Sequence, residues 1–210
     1  MNVVSFVDGM MADMASSRDR AIAAAIELVG ASGVRSLTHG RVDATAGLPR
    51  GSTSNYFRTR AALIGGVINA IAAAERAELA DGPGAAAGSD RSAGRNDPGV
   101  PRDPIASVVD ALAATLIDLT GPHAVRTRAR LALFLELAAE PELRAPFEVQ
   151  RREYEVFARG LLTSLGAADP DVAVRTFMAT LDGLILHRIT VDPSAPVRAA
   201  IDLVLRACLA

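Results

Sequence analysis

Residues 37–63 read LTHGRVDATAGLPRGSTSNYFRTRAAL, and this stretch decides the fold. Thr38 is a residue type that caps helices, because its side-chain oxygen can accept a first-turn amide proton. A short helix follows to about Ala46. Gly47-Leu48-Pro49 then makes a sharp turn, which the glycine permits. Pro49 stands near the start of another short helix that reaches about Phe57. Gly51, Ser52, Thr53, Ser54 and Asn55 are small or polar, so this helix cannot be a core element. Its value must lie in its surface. Val42, Ala46, Leu48, Thr53 and Phe57 supply a small interior beneath it. A slim polar helix on such a support can enter a DNA major groove, where a thicker surface would clash.

Upstream, Ser16 and Ser17 are good N-caps for a helix with Ile22, Ala25, Ile26 and Val29 on one face. Gly30 and Gly33 end it, and residues 1–15 show no strong period and read as a disordered tail. Downstream, a helix over about 60–80 carries Leu63, Ile64, Val67, Ile68 and Ile71 on one face. Composition then changes abruptly to the glycine- and proline-rich residues 81–103, read as a flexible loop or linker. Apolar helical periods resume over 105–120, 123–139, 142–165, 169–191 and 196–209, with a break or bend expected near Pro146. The expectation is an all-α chain of about nine helices. It divides into a tail over 1–15, a three-helix helix-turn-helix domain over 16–62, and a larger helical domain over 63–210.

Composition narrows the function. Half the residues are hydrophobic, enough for a core, and Ala and Leu favour helices. Net charge is −2 over the whole chain, but it is uneven. Between Ser16 and Arg60 seven arginines face Asp19, Glu27 and Asp43, a local +4 that leaves −6 elsewhere. A basic front on an acidic body fits local contact with DNA, and equally fits plain charge scatter. All 22 basic residues are Arg, which rules out lysine-based covalent chemistry. The lone Cys208 can make no intrachain disulfide or cysteine-rich zinc site and suits a reducing cytosol. With no secretory signal and no apolar run of about 20 residues, a soluble cytoplasmic protein without a membrane partner is expected. His39, His123 and His187 lack metal-ligand spacing, and no nucleophile elbow or phosphate-binding glycine loop appears. The expectation is therefore a non-enzyme with neither metal nor cofactor.

The same stretch resembles the helix-turn-helix of the tetracycline-repressor (TetR) family. Thr38, Val42, Ala46, Gly47, Leu48, Gly51, Ser52, Tyr56, Phe57, Arg58, Arg60 and Leu63 fall in register with that family's pattern. Three positions depart from it. Asp43 stands where a small residue is usual, Thr53 replaces an aliphatic residue, and Ser54 replaces a tyrosine and its phosphate contact. The resemblance implies a homodimeric, ligand-responsive regulator, in most members a repressor released from operator DNA by an effector.

Its DNA-contacting positions carry over as Thr38, His39, Arg50, Gly51, Ser52, Ser54, Asn55, Tyr56, Arg58 and Arg60. Arg50 is the candidate for base readout, since a guanidinium can reach guanine O6 and N7 together. Ser52 and Asn55 would read a base edge or hold phosphate, and His39 and Arg41 would lie at the groove edge. Tyr56 either grips the backbone or anchors the core, and one of Arg58 and Arg60 can equally be a solvated charge. The effector pocket would lie among the middle helices. Polar or bulky residues there give a candidate set of His123, Phe134, Tyr154, Phe177, Met178 and Asp182, with Glu136, Phe157 and His187 as weaker pointers. The apolar bias suits a hydrophobic or amphipathic small molecule. Leu181, Leu184, Ile185, Ile189, Val197, Ile201, Val204 and Leu205 exceed what one intramolecular face requires, and the family's last two helices form its dimer interface. The competing reading is a helical small-molecule-binding or adaptor protein that no longer binds DNA, on the strength of Ser54.

Overall fold

The computed structural model describes the backbone of residues 3–81 and 103–210, and the side chains of residues 17–78 and 103–210. Nine α-helices and no strand occur among the described residues. They are α1 (Val3–Ser32), α2 (His39–Ala46), α3 (Ser52–Tyr56), α4 (Arg60–Asp81), α5 (Pro104–Thr120), α6 (Ala124–Glu136), α7 (Pro141–Ser164), α8 (Pro170–Thr190) and α9 (Arg198–Ala207). A single 3-10 turn, Val34–Ser36, joins α1 to α2. No single helix among the described residues is long and apolar enough to cross a membrane.

Helix starts follow local chemistry. Thr38 accepts the Arg41 amide at 3.3 Å to open α2, and Asp169 accepts the amides of Asp171 and Val172 to open α8. Proline follows the cap at both α5 and α8, where its missing N–H is harmless. Two expectations are corrected. The segment read as a tail is helical from Val3, because nothing between Val3 and Ser32 breaks the run: it contains no proline, and Ser16 and Ser17 lie inside α1. Pro146 does not divide α7, since it falls early in the helix and removes only one rung of the ladder. The loop expected over 81–103 falls on residues 82–102, outside the described residues.

The chain forms two compact units, one of Met1–Ala73 with Val125–Phe147 and the other of Ala74–Ala124 with Glu148–Ala210. The first unit packs Ile22, Ala25 and Val29 of α1 against Leu63, Val67, Ile68 and Ile71 of α4, together with Val42, Phe57 and Leu133. The i, i+3/i+4 spacing along α1 and α4 puts these residues on one stripe each. The second unit has its own core of Val109 and Leu116 from α5, Leu162 from α7, Val174 and Phe177 from α8, and Val197, Ile201 and Leu205 at α9. Buried Arg188 also sits there. It donates from Nε to Thr120 Oγ1 at 2.7 Å and from Nη1 to the Ala195 carbonyl, tying the turn before α9 to the end of α5.

Candidate nucleic-acid interface

α3 is only five residues long, far below the ~12–15 at which isolated helices become stable in water. Something outside it must hold it. Gly47 (φ 62) closes α2, and Gly51 (φ 91) opens α3; both take left-handed conformations that a Cβ would strain. Gly51 has no side chain to cap with. The cap comes instead from α2. Asp43 is 2% exposed and spreads its carboxylate over the N-terminal end of α3. Oδ2 accepts the Gly51 amide at 2.7 Å, and Oδ1 accepts the Thr53 amide at 2.8 Å and the Thr53 hydroxyl at 2.5 Å. Burial alone pushes this carboxyl's pKa up. The Thr53 hydroxyl, the two amides and nearby His39 outweigh that and hold it below the ordinary carboxylate value.

The other end of α3 is held from the same helix. His39 Nε2 lies 2.6 Å from the Phe57 carbonyl. A carbonyl only accepts, so Nε2 carries the proton. His39 and Asp43 are four residues apart, one turn along a common face of α2. Arg20 in turn closes α2, donating to the Ala46 and Gly47 carbonyls at 2.7 and 3.2 Å.

Around this frame the sequence candidates divide. Arg50, Ser54, Asn55 and Arg58 are exposed on or beside α3, and no side-chain hydrogen bond or ion pair involves them among the described residues. Arg50 stands in the turn that leads into α3, since the helix begins at Ser52 and not near Pro49. Thr38 is exposed with its hydroxyl in the α2 cap. Tyr56 is half-buried and packs on the first core. Arg60 donates to the Val34 carbonyl at 3.0 Å, so it braces the 3-10 turn. His39 and Gly51 likewise make intramolecular bonds. Sequence reading missed Asp43 as a site residue, although it had noted both Asp43 and Thr53 as departures. The two departures are partners.

The effector candidates fall in both units. Phe134 belongs to the first unit, half-buried beneath Arg144, whose guanidinium lies 5.2 Å from the ring centroid. Phe177 is core in the second unit and Met178 packs against it. Asp182 pairs with Arg151 at 2.8 Å, and His123 with Asp118 at 3.3 Å. Tyr154 joins a buried polar cluster that the sequence did not signal. In it Gln150, fully buried, donates from Nε2 to Glu75 Oε2 at 2.8 Å and to Tyr154 Oη at 3.1 Å. Gln150 Oε1 has no hydrogen-bond partner among the described residues. An open groove of about 470 Å³ in the first unit, lined by residues including Arg35, Leu135 and Glu136, holds none of the six. Cys208 is half-buried, and burial raises its thiol pKa, the opposite of an activated thiol.

Residues 103–210 match the family model described as the tetracyclin repressor-like C-terminal domain. The chain belongs to the tetracycline-repressor family. Solved TetR-family structures share its fold. One from Streptomyces coelicolor A3, described as a member of the TetR family, is 25% identical with a TM-score of 0.65, over 92% of this chain and 98% of that one. A TetR-family regulator from Mesorhizobium loti superposes at TM-score 0.69 with 12% identity, over 93% and 96% of the two chains. The multidrug binding protein EbrR, complexed with imidazole, is 25% identical with a TM-score of 0.60, over 92% and 94%. No curated protein matches the chain. α2 and α3 form its helix-turn-helix.

The proposed partner surfaces of α8 and α9 divide as well. Val197, Ile201 and Leu205 are at most 2% exposed, inside the core of their own unit, which corrects their place in an expected dimer interface. Leu181, Leu184, Ile185, Ile189 and Val204 remain half-buried, while Leu186 and Leu203 are exposed.

Proposed function

We propose that this TetR-family regulator reads operator DNA as a homodimer and releases it on binding a small hydrophobic or amphipathic effector. One observation carries the proposal: the outer face of α3 and its flanks offers Arg50, Ser54, Asn55 and Arg58 with no partner of their own, on a helix held from beneath. Arg50 reads a base edge, Ser54 and Asn55 contact bases or phosphate, and Ser52, the Tyr56 hydroxyl, Thr38 and Arg58 hold the backbone. Two copies of α3 would meet successive major grooves about 34–36 Å apart. The dimer forms through the half-buried stripe of α8 and α9, extended by Leu186 and Leu203.

The effector enters the second unit near Gln150 and Tyr154. A buried acceptor without a donor is a cost that a ligand N–H or O–H removes. The structure of the multidrug binding protein EbrR complexed with imidazole supports a small-molecule role here. The test begins with selection of duplexes from a random library by the full-length protein. Fluorescence titration then compares an enriched duplex with a scrambled one at matched salt, with and without an amphipathic compound that raises the protein's melting temperature. Tighter binding to the enriched duplex, weakened by that compound, is the expected result. Equal affinity for both duplexes would end the proposal.

A further inference from the structure

α3 is too short to stand alone, yet its outward face must stay free of packing if it is to read DNA. Its hold therefore has to come from its inward side, where Thr53 is buried and Tyr56 packs on the core, and from its ends. Asp43 takes the N-terminal amides of Gly51 and Thr53 and the Thr53 hydroxyl, and His39 donates to the Phe57 carbonyl at the other end. Both come from α2, one turn apart. An anion lies at the positive end of α3 and an N–H donor at its negative end, the favourable sense for the helix dipole. The four interactions leave no contact on the outward face.

We propose that His39 and Asp43 form a two-point clamp from α2 that positions α3 for sequence-specific DNA reading, with Asp43–Thr53 as its stronger jaw. The proposal deepens the DNA-binding reading and rests on it for its function. His39 and Asp43 are positioning residues: they act through α3 and not on the duplex. The clamp also joins two departures from the family pattern in one device. A small residue facing an aliphatic one is replaced by a carboxylate facing a hydroxyl, and the buried Thr53 hydroxyl would lose this partner without Asp43. It further means that the Gly51 and Thr53 amides are occupied from inside and are not offered to phosphate.

The experiment uses the full-length protein and the variants Asp43→Ala, Asp43→Asn, His39→Ala and Thr53→Val. Two readouts are taken. The first is amide exchange at Gly51, Thr53 and Phe57, with Ile68 and Leu63 as core references. The second is the ratio of affinities for an enriched duplex and a scrambled duplex at matched salt. For Asp43→Ala, exchange at Gly51 and Thr53 rises by about tenfold or more while Ile68 and Leu63 stay protected. The affinity ratio falls roughly tenfold or more, the size of one lost base-pair reading, while affinity for the scrambled duplex holds. Asp43→Asn and Thr53→Val fall between this and wild type, and His39→Ala loosens the Phe57 end. A merely structural role would lower both affinities together, and that result overturns the clamp. Unchanged exchange at Gly51 and Thr53 in Asp43→Ala overturns it too. If the wild-type protein enriches no duplex, the DNA-binding reading falls, and the exchange arm still decides whether α2 clamps α3.

Discussion

α3 and α9 are both short, five and ten residues, and they are held by opposite means. α9 gives up a face: Val197, Ile201 and Leu205 recur every four residues and disappear into the second unit's core. α3 gives up its ends. Thr53 is its one fully buried side chain, and a carboxylate and an imidazole from α2 hold the termini. The difference follows from what each helix must leave uncovered. A helix that packs can give a broad face to burial, whereas a helix that recognises must keep its outer side chains free, and its ends then carry more of the fixing. Arg20 shows the same preference next door, closing α2 through backbone carbonyls.

The comparison is broken most directly at α9. Leu205 is 0% exposed and at the centre of the second core. Leu205→Ala is expected to cost about 2–5 kcal/mol of unfolding free energy, from lost transfer energy and a cavity. Urea denaturation of the variant measures it. A cost under about 1 kcal/mol would mean that α9 is not held by its face.

Asp43→Ala comes next. It strands the Gly51 and Thr53 donors at a buried site, and the expected cost is about 1–3 kcal/mol. Its pH dependence gives the sign. The Asp43 pKa lies below its unfolded value, so its contribution is complete above the ordinary carboxylate range and lost as pH falls through the folded value. The stability gap between wild type and Asp43→Ala should thus be flat above about pH 5 and close below about pH 4. Urea titrations at several pH values test this. A gap that widens in acid would show that the carboxylate does not act as a charged cap.

The same contrast explains what the sequence disclosed. Apolar periods and adjacent caps are local signals, so α2 with Thr38, α8 with Asp169-Pro170 and the stripes of α4 and α9 were legible along the chain. A stripe tells that a face is buried but not against what. That is why Val197, Ile201 and Leu205 read as a partner surface and proved to be core. The clamp was illegible for a different reason. Asp43 and Thr53 lie ten residues apart across a turn, and a cap lent by another helix has no i, i+3 signature. Each therefore read as an isolated departure. The partners of the effector candidates were hidden similarly: Asp182 and His123 looked like unpaired polar groups within helices, but Arg151 and Asp118 meet them through folding or a chain reversal. Gln150 gave no signal, since an amide among charged residues looks solvated.

Arg60→Ala should cost less than either change, about 0.5–1.5 kcal/mol, because a partly exposed guanidinium releases the Val34 carbonyl to water. Thermal melts suffice to rank it below Asp43→Ala. A larger loss would make the 3-10 turn, and not α2, the main support of the helix-turn-helix.

The smallest effect on stability belongs to Arg50 and Arg58, and it is the sharpest test of a face kept free. Neither is tied down within the chain among the described residues, so Arg50→Ala and Arg58→Ala should each stay within about 0.5 kcal/mol of wild type in a melt. Binding should separate them. If Arg58 meets phosphate, its loss weakens enriched and scrambled duplexes alike and lowers the slope of log affinity against log salt by about one. If Arg50 reads a base, its loss weakens the enriched duplex by about 1–3 kcal/mol and relaxes preference at one position, with little change for the scrambled one. A destabilised Arg50→Ala variant would show that the outward face helps to hold α3. In that case recognition and support would share the same side chains, and the contrast with α9 would be one of degree.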